Sequence, residues 1–416
     1  MPSVVAYTLP LADTLVPADQ GELAECVRRA AATGTLLYPL GGRTALNYGT
    51  VAKSAGRGLS TERLTRIVDY PARDMTITVE AGLTASELAR TLSAEGQFLP
   101  VEIAEPDRAT VGGATAVNFS GPRRFGYGTL RDYLIGVSAV DGTGTPFKAG
   151  GRVVKNVAGY DFCKLLTGSL GTLAVITQLT FKVRPLPAAA AWLSTDLTTP
   201  AAAEPLLEAL IRTRTTPTAV ELVAGPAAAD LPGLDKPASS KPVRLLIRLE
   251  GTQIETRWMV DQLRGEWRGL GVGASQLVEG ADVDALDRRL IEFGCGDAPQ
   301  RTVLKFNVRP SRVTHVVDVV RREFPQASVV ARAANGIVLA ALDDVASHEL
   351  AKPLIRELQP AAAAAGGRVV VWSSPAPEEL TRQMAWGSAR EDHGVLAAVK
   401  RQFDPHDLLN RGRFAC

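Results

Sequence analysis

The sequence predicts an α+β chain with more than one hydrophobic core. Its 416 residues exceed what a single core ordinarily organises. The first 187 residues alternate strand-like and helix-like patterns and carry three glycine-centred segments. After a stretch rich in Ala, Pro and Thr, strands and amphipathic helices alternate again.

The elements run in order along the chain. Residues 19–33 place Leu23, Cys26, Val27 and Ala30 at helical spacing. Leu36-Leu37-Tyr38 is a short strand running into the first glycine segment, Pro39-Leu40-Gly41-Gly42-Arg43-Thr44. Met75 to Glu80 alternates as a half-buried strand should. It turns at Gly82 into a helix that opens with Thr84-Ala85-Ser86-Glu87, a capping box. The second glycine segment is Thr110-Val111-Gly112-Gly113-Ala114, and the third is Thr167-Gly168-Ser169-Leu170-Gly171-Thr172. Asp132–Val140 and Leu173–Val183 read as strands, the latter stopped by Arg184-Pro185-Leu186-Pro187.

Residues 186–240 read as a boundary, with a loosely structured piece at Ala224–Pro242. Beyond it come strand 243–250, helices 254–269 and 281–291, strand 301–307 and helix 311–323. Strands 328–332 and 336–342 are joined by a tight Asn335-Gly336 turn; helix 346–361 and strand 367–372 come after them. This succession predicts a sheet covered on one face. A helix at Glu391–Gln402 and a tail, Phe403 to Arg413, complete the series, and no repeat of fixed period is visible. The expected domains are 1–187, 188–385 and a C-terminal segment, 386–416, that returns to the first.

Composition excludes several classes. Hydrophobic residues at 46% and charged residues at 22% are those of a soluble globular chain. A net charge of +2 argues against nucleic-acid binding, which calls for a basic stripe. Cys26, Cys163, Cys295 and Cys416 form no CxxC pair, so no zinc knuckle, iron–sulfur cluster or disulfide framework is expected. The start lacks the basic and apolar regions of a signal peptide, and no apolar run is long enough to span a bilayer. The expected location is cytoplasmic, with any membrane association made through partner subunits.

The glycine segments carry the chemistry. Each puts small residues where a backbone can approach a phosphate or a flat ring closely. There is no GxGxxG opening a helix after a strand and no GxxxxGK[ST], which disfavours a Rossmann domain and a P-loop. Consecutive N–H groups at Gly41-Gly42-Arg43-Thr44 can still hold a phosphate as a nest. Taken singly, each segment also reads as a plain turn or a close-packed helix start; together they point to an extended dinucleotide and to flavin chemistry. Lys155 and Tyr160, in the loop Gly150–Asp161, read either as groups facing a reactive ring or a phosphate, or as a solvated lysine and a half-buried structural tyrosine. The four histidines (His315, His348, His393, His406) form no ligand pattern, so no metal site is expected. None lies near the glycine segments, and Cys163 sits in an apolar Phe-Cys-Lys-Leu-Leu context typical of a core, so a covalent flavin is not expected.

The stretch Gly151 to Pro187, with KNVAGYDFCKLLTGSLGTLAVITQLTFKVRPLP, resembles the FAD-binding E subunits of glycolate oxidase (GlcE type) in the vanillyl-alcohol oxidase/PCMH superfamily. The tail Phe403-Asp404-Pro405 to Leu409-Asn410-Arg411-Gly412-Arg413 resembles the segment that returns to the flavin in such proteins. The resemblance implies a two-lobed PCMH-type FAD-binding domain plus an α+β, ferredoxin-like cap. It implies non-covalent FAD, with Pro39, Gly41, Gly42, Arg43 and Thr44 at the pyrophosphate. Gly112, Gly113, Ala116 and Asn118 would line the pyrophosphate and flavin ring, with Gly121 near. Gly171 and Ile176 would face the adenine side, and Asn410 the isoalloxazine.

The resemblance also implies a small 2-hydroxy acid substrate, a sister catalytic FAD subunit and an iron–sulfur subunit. One departure stands out: relatives that oxidise D-2-hydroxy acids carry a histidine-rich motif, and this chain has none. Two other readings stay open, a self-sufficient flavin oxidoreductase and a structural assembly subunit.

Overall fold

The computed structural model describes residues 9–119, 121–151, 159–237, 239, 242–295, 301–387 and 391–413. Its contacts divide the chain into two units, one of which, the central unit, takes Pro187–Gly387 together with the short piece Gly121–Tyr127. The other takes the remaining N-terminal residues, Gly128–Leu186 and the tail.

The tail-bearing unit has two main sheets. A parallel one runs in the order Leu11–Leu15, Gly56–Ser60, Leu37–Leu40. An antiparallel one runs Ile67–Asp69, Thr76–Glu80, Ala174–Lys182, Leu134–Asp141, Pro146–Gly150. The helix Gln20–Thr33 joins their cores. Asp19 caps it by accepting from the Glu22 amide at 2.9 Å, and Gly34 ends it in the left-handed region at φ 67°. Leu23 and Val27 are fully buried against Leu37 and Leu59 of the parallel sheet and Val140 and Val175 of the other. Each such side chain contributes about 2 kcal/mol. Only half of the expected capping box at Thr84 forms: Thr84 accepts from the Glu87 amide, while the Glu87 carboxylate pairs with Arg90 at 2.5 Å.

The central unit is built on one eight-stranded antiparallel sheet in the order Gln276–Val278, Ala189–Leu197, Val243–Gly251, Ala219–Ala224, Ser328–Arg332, Ile337–Asp343, Arg301–Asn307, Arg368–Ser373. Its strands and helices fall into two successive β-α-β-β-α-β halves of ferredoxin-like type. They join edge to edge where Ala219–Ala224 pairs with Ser328–Arg332, Glu221 opposite Arg332. The repeat is topological; the spacings between matching elements vary, so no sequence period betrays it.

Three expectations need correction. The segment 186–240 holds two interior strands, Ala189–Leu197 and Ala219–Ala224, and beyond the second a 3-10 helix at Gly225–Ala228. The Asn335-Gly336 turn belongs to a four-residue connection, because Arg332 pairs directly with Ile337; Gly336 takes its left-handed end at φ 71°. The sheet is covered on both faces in its first half. One face carries the helices Gln253–Gly269 and Val313–Glu323 over a large apolar core. On the other, the helix Ala281–Ile291 lays Val283, Leu286 and Leu290 on Trp192, Val223 and Leu246. No helix among the described residues is long and apolar enough to cross a membrane.

Candidate functional site

The site is built within the unit that holds the glycine segments. The first segment leaves the Leu37–Leu40 strand at its C-terminal end. The second forms the short helix Val111–Val117, whose cap Thr110 accepts from the Gly113 amide at 3.2 Å. The third is a loop in which Gly168, Leu170 and Gly171 all have positive φ, at 83°, 52° and 65°. It docks on the second through Gly168 N–H to the Thr115 carbonyl (3.0 Å) and Leu170 N–H to the Ala116 carbonyl (2.8 Å).

The tail closes the assembly. Leu409 bridges Leu37 in parallel, and the Asn410 amide donates to the Leu37 carbonyl at 2.9 Å. The Asn410 side chain donates to the Leu170 carbonyl at 2.7 Å and lies 3.1 Å from where a Gly171 Cβ would stand; Pro39 is 3.5 Å from the same point. Pro39, Ala116, Asn118, Gly171 and Asn410 thus share one place. Five of the eight described non-glycine residues with positive φ (Arg43, Asn118, Leu170, Asp407, Asn410) fall in the three glycine segments, the cap of the second one's helix and the tail. Such backbone strain concentrates where a ligand is held.

The glycines divide by role. A Cβ on Gly41 would land on Thr110 Oγ1, and one on Gly42 would land on the Arg108 carbonyl oxygen. A Cβ on Gly112 would meet the Ala81 Cβ at 2.6 Å and the Ala81 carbonyl oxygen at 2.8 Å. These three are small because the segments pack on their own chain, which sequence alone could not separate from ligand approach. Gly113 meets only Thr110 Oγ1, at 3.1 Å.

The polar inventory fits a dinucleotide. The main-chain N–H groups of Gly42, Arg43, Thr44 and Ala45 donate to no acceptor among the described residues, leaving consecutive donors of the kind an anion occupies. Asn118 Oδ1 and Ser169 Oγ are buried without a hydrogen-bond partner, which a ligand with donors and acceptors would supply. Arg43 points an exposed guanidinium from the same turn.

Other candidates fall elsewhere. Ile176 is buried within the Ala174–Lys182 strand, paired with Ala139. Gly121 belongs to the piece that joins the central unit, where Gly126 donates to the Thr218 carbonyl. Tyr160 is 86% exposed and stacks on Phe162. Lys155 lies outside the described residues. Cys163 is buried, and burial and then Asp161 push its thiol up to about 11, which disfavours the thiolate a thioether link requires.

Sequence reasoning missed the groups that fasten the tail. Lys400 Nζ donates to the carbonyls of Thr172 (2.7 Å) and Leu409 (3.0 Å) and pairs with the buried Asp404 at 2.6 Å. Asp404 accepts from the Leu408 and Leu409 amides. Arg413 donates to the carbonyls of Leu46, Tyr48 and Thr50, holding the turn after the first glycine segment. The charged residues of FDPHDLLNRGR were the available signal.

Comparison with known proteins agrees with this geometry. Residues 12–150 match the FAD binding domain family. The chain carries a PCMH-type FAD-binding domain. Across 178 residues, 43% of the chain, it is 36% identical to D-2-hydroxyglutarate dehydrogenase of Xanthomonas citri pv. viticola. It is 40% identical over 124 residues, 30% of the chain, to glycolate oxidase subunit GlcE of Escherichia coli, and 30% identical over 173 residues, 42% of the chain, to subunit GlcD of Bacillus subtilis. The aligned stretches span only 38%, 35% and 37% of those relatives. A solved alkyldihydroxyacetonephosphate synthase superposes with a TM-score of 0.67 at 18% identity, over 95% of this chain and 75% of that one. That likeness is one of fold. The FAD-binding domain match takes in the first two glycine segments, and the third and the tail complete the same site from outside it.

Proposed function

We propose that the chain is an FAD-dependent oxidoreductase of 2-hydroxy acids, and specifically the FAD-binding subunit of a glycolate oxidase complex. The observation that carries the FAD assignment is the convergence of three glycine segments and Asn410 around open N–H donors at Gly42–Ala45. Relatives named as glycolate oxidase subunits, D-lactate dehydrogenase and D-2-hydroxyglutarate dehydrogenase support the substrate class. Gly42 to Ala45 would hold the pyrophosphate, while Asn118, Ser169 and Asn410 would fix the rest of the cofactor. Bound FAD supplies the two-electron acceptor. The attachment is non-covalent, in keeping with the buried, high-pKa Cys163.

The four histidines form no clustered motif, and the candidate Tyr160 is turned to solvent, so neither marks a group placed to take the substrate hydroxyl proton. That favours action beside a sister flavoprotein and an iron–sulfur subunit, in the cytoplasm or at a membrane through those partners.

The purified chain is expected to be yellow, and acid precipitation should release its FAD into the supernatant. A colourless protein that binds no FAD on titration would sink the reading. Glycolate added anaerobically to the isolated chain should bleach the flavin slowly or not at all, and rapidly once the partner subunits are present. Rapid bleaching alone would assign a self-sufficient enzyme.

A further inference from the structure

The five-stranded sheet of the tail-bearing unit ends at the strand Pro146–Gly150. That strand pairs with Leu134–Asp141 on one side and with no described strand on the other. Two bonds flank the ladder and set its phase: the Asp141 amide donates to the Thr145 carbonyl and the Gly151 amide to the Ile135 carbonyl, each at 3.1 Å. The antiparallel alternation then turns the main-chain groups of Phe147 and Ala149 inward and the Lys148 and Gly150 amides outward. Among the described residues those two amides find no acceptor. An edge of this kind is a template for another strand.

One face of the edge carries a cluster of four aromatic rings. Phe147 lies 5.6 Å from Phe162 and 5.8 Å from Phe403, centroid to centroid. Phe162 in turn lies 5.6 Å from Phe403 and 6.2 Å from Tyr160. Phe162 opens the short helix Phe162–Leu166, and Phe403 ends the helix His393–Phe403, which has no fully buried residue. Phe147, Phe162 and Phe403 are half-buried and Tyr160 is almost wholly exposed, so four rings meet and none is sealed from solvent. Aromatic side chains are enriched at the centres of protein interfaces, where covering them is the main gain. On the other face of the strand Lys148 stands exposed, with no carboxylate pairing to it among the described residues.

We propose that an extended segment of a partner subunit adds to the Pro146–Gly150 edge as a further strand, seating apolar side chains among these rings and a carboxylate beside Lys148. Main-chain bonds to the outward amides give the affinity, and the alternating pockets give the choice of sequence. The partner strand therefore alternates apolar and acidic residues. Lys148 selects against a second copy of this chain, because two such edges paired about their centres would set lysine opposite lysine. Pro146 supplies no N–H, which keeps the pairing short. The inference rests on the reading of the chain as a subunit of a complex and names where the partner docks. It also gives the exposed Tyr160 a place in an interface instead of beside a reactive ring.

The test is hydrogen–deuterium exchange on the full chain, alone and copurified with the sister flavoprotein and the iron–sulfur subunit. Alone, the Lys148 and Gly150 amides should exchange as freely as those of an exposed loop; in the complex they should slow at least about tenfold. Lys148→Glu and Tyr160→Asp, both at exposed positions, should each weaken assembly about tenfold in sedimentation analysis, with FAD content at the wild-type level. The exchange measurement on wild type decides by itself if either variant fails to fold. A complex that forms without slowing at these amides, or that neither variant weakens, overturns the docking site and leaves the subunit reading standing. A chain that binds neither subunit overturns the subunit reading and this inference with it. Slowing that grows with the concentration of the chain alone makes the occupant a second copy and also overturns the proposal.

Discussion

Gly42 and Gly113 belong to adjoining segments of one site, yet their surroundings predict opposite phenotypes. A Cβ at Gly42 would strike the Arg108 carbonyl, which is backbone and cannot swing aside. Gly42→Ala should therefore cost about 3 kcal/mol in urea unfolding. Gly113→Ala meets only a hydroxyl at 3.1 Å and should cost under about 1 kcal/mol while weakening FAD binding, read by quenching of flavin fluorescence. Equal destabilisation by both changes would make Gly113 a packing residue as well. Asn410 has φ 47°, so glycine is the informative replacement because it keeps the backbone and removes only the amide. Asn410→Gly should lose about 1 kcal/mol of FAD affinity, roughly a fivefold rise in Kd.

At the level of elements, the tail is fastened by few groups. Lys400 ties the helix His393–Phe403 to Thr172 and Leu409, and its partner Asp404 is 1% exposed. Lys400→Met strands that carboxylate, and about 3–5 kcal/mol of stability should go with it, measured by calorimetry without cofactor. The sequence announced this helix and most of those after residue 243, because each shows one apolar face against polar neighbours. Val313–Glu323, with Val316, Val317 and Val320 inward, is such a case. It hid the strands Ala189–Leu197 and Ala219–Ala224, since Ala219–Ala224 is buried at every position and so has no alternation to read. In the site, the three segments were legible as glycine clusters. That Gly41, Gly42 and Gly112 are small to admit their own chain was not, because those contacts join residues dozens of positions apart.

For the whole molecule, the separate cores predict separate melting. The tail-bearing unit centres on Leu23, Val27, Leu37 and Leu59, the central unit on the strands around Leu245 and Ile247. Calorimetry should resolve two transitions. FAD at a hundredfold excess over its Kd should stabilise only the tail-bearing unit, by about 2.7 kcal/mol. A single transition shifted as a whole by FAD would show that the units unfold together.

The reach of Arg413 has a consequence for how the protein is made. Its guanidinium grips the Leu46 carbonyl across 367 residues, and Asn410 closes on Leu170 across 240. A ribosome must therefore produce the entire central unit before the cofactor cradle has its final wall. The cradle waits as an unfinished, strained surface while the inserted sheet assembles, and so is exposed longest to proteases and to mispairing. Free FAD during synthesis finds no completed host, and the supply of flavin at the moment of release, more than during elongation, would govern how much of the protein survives.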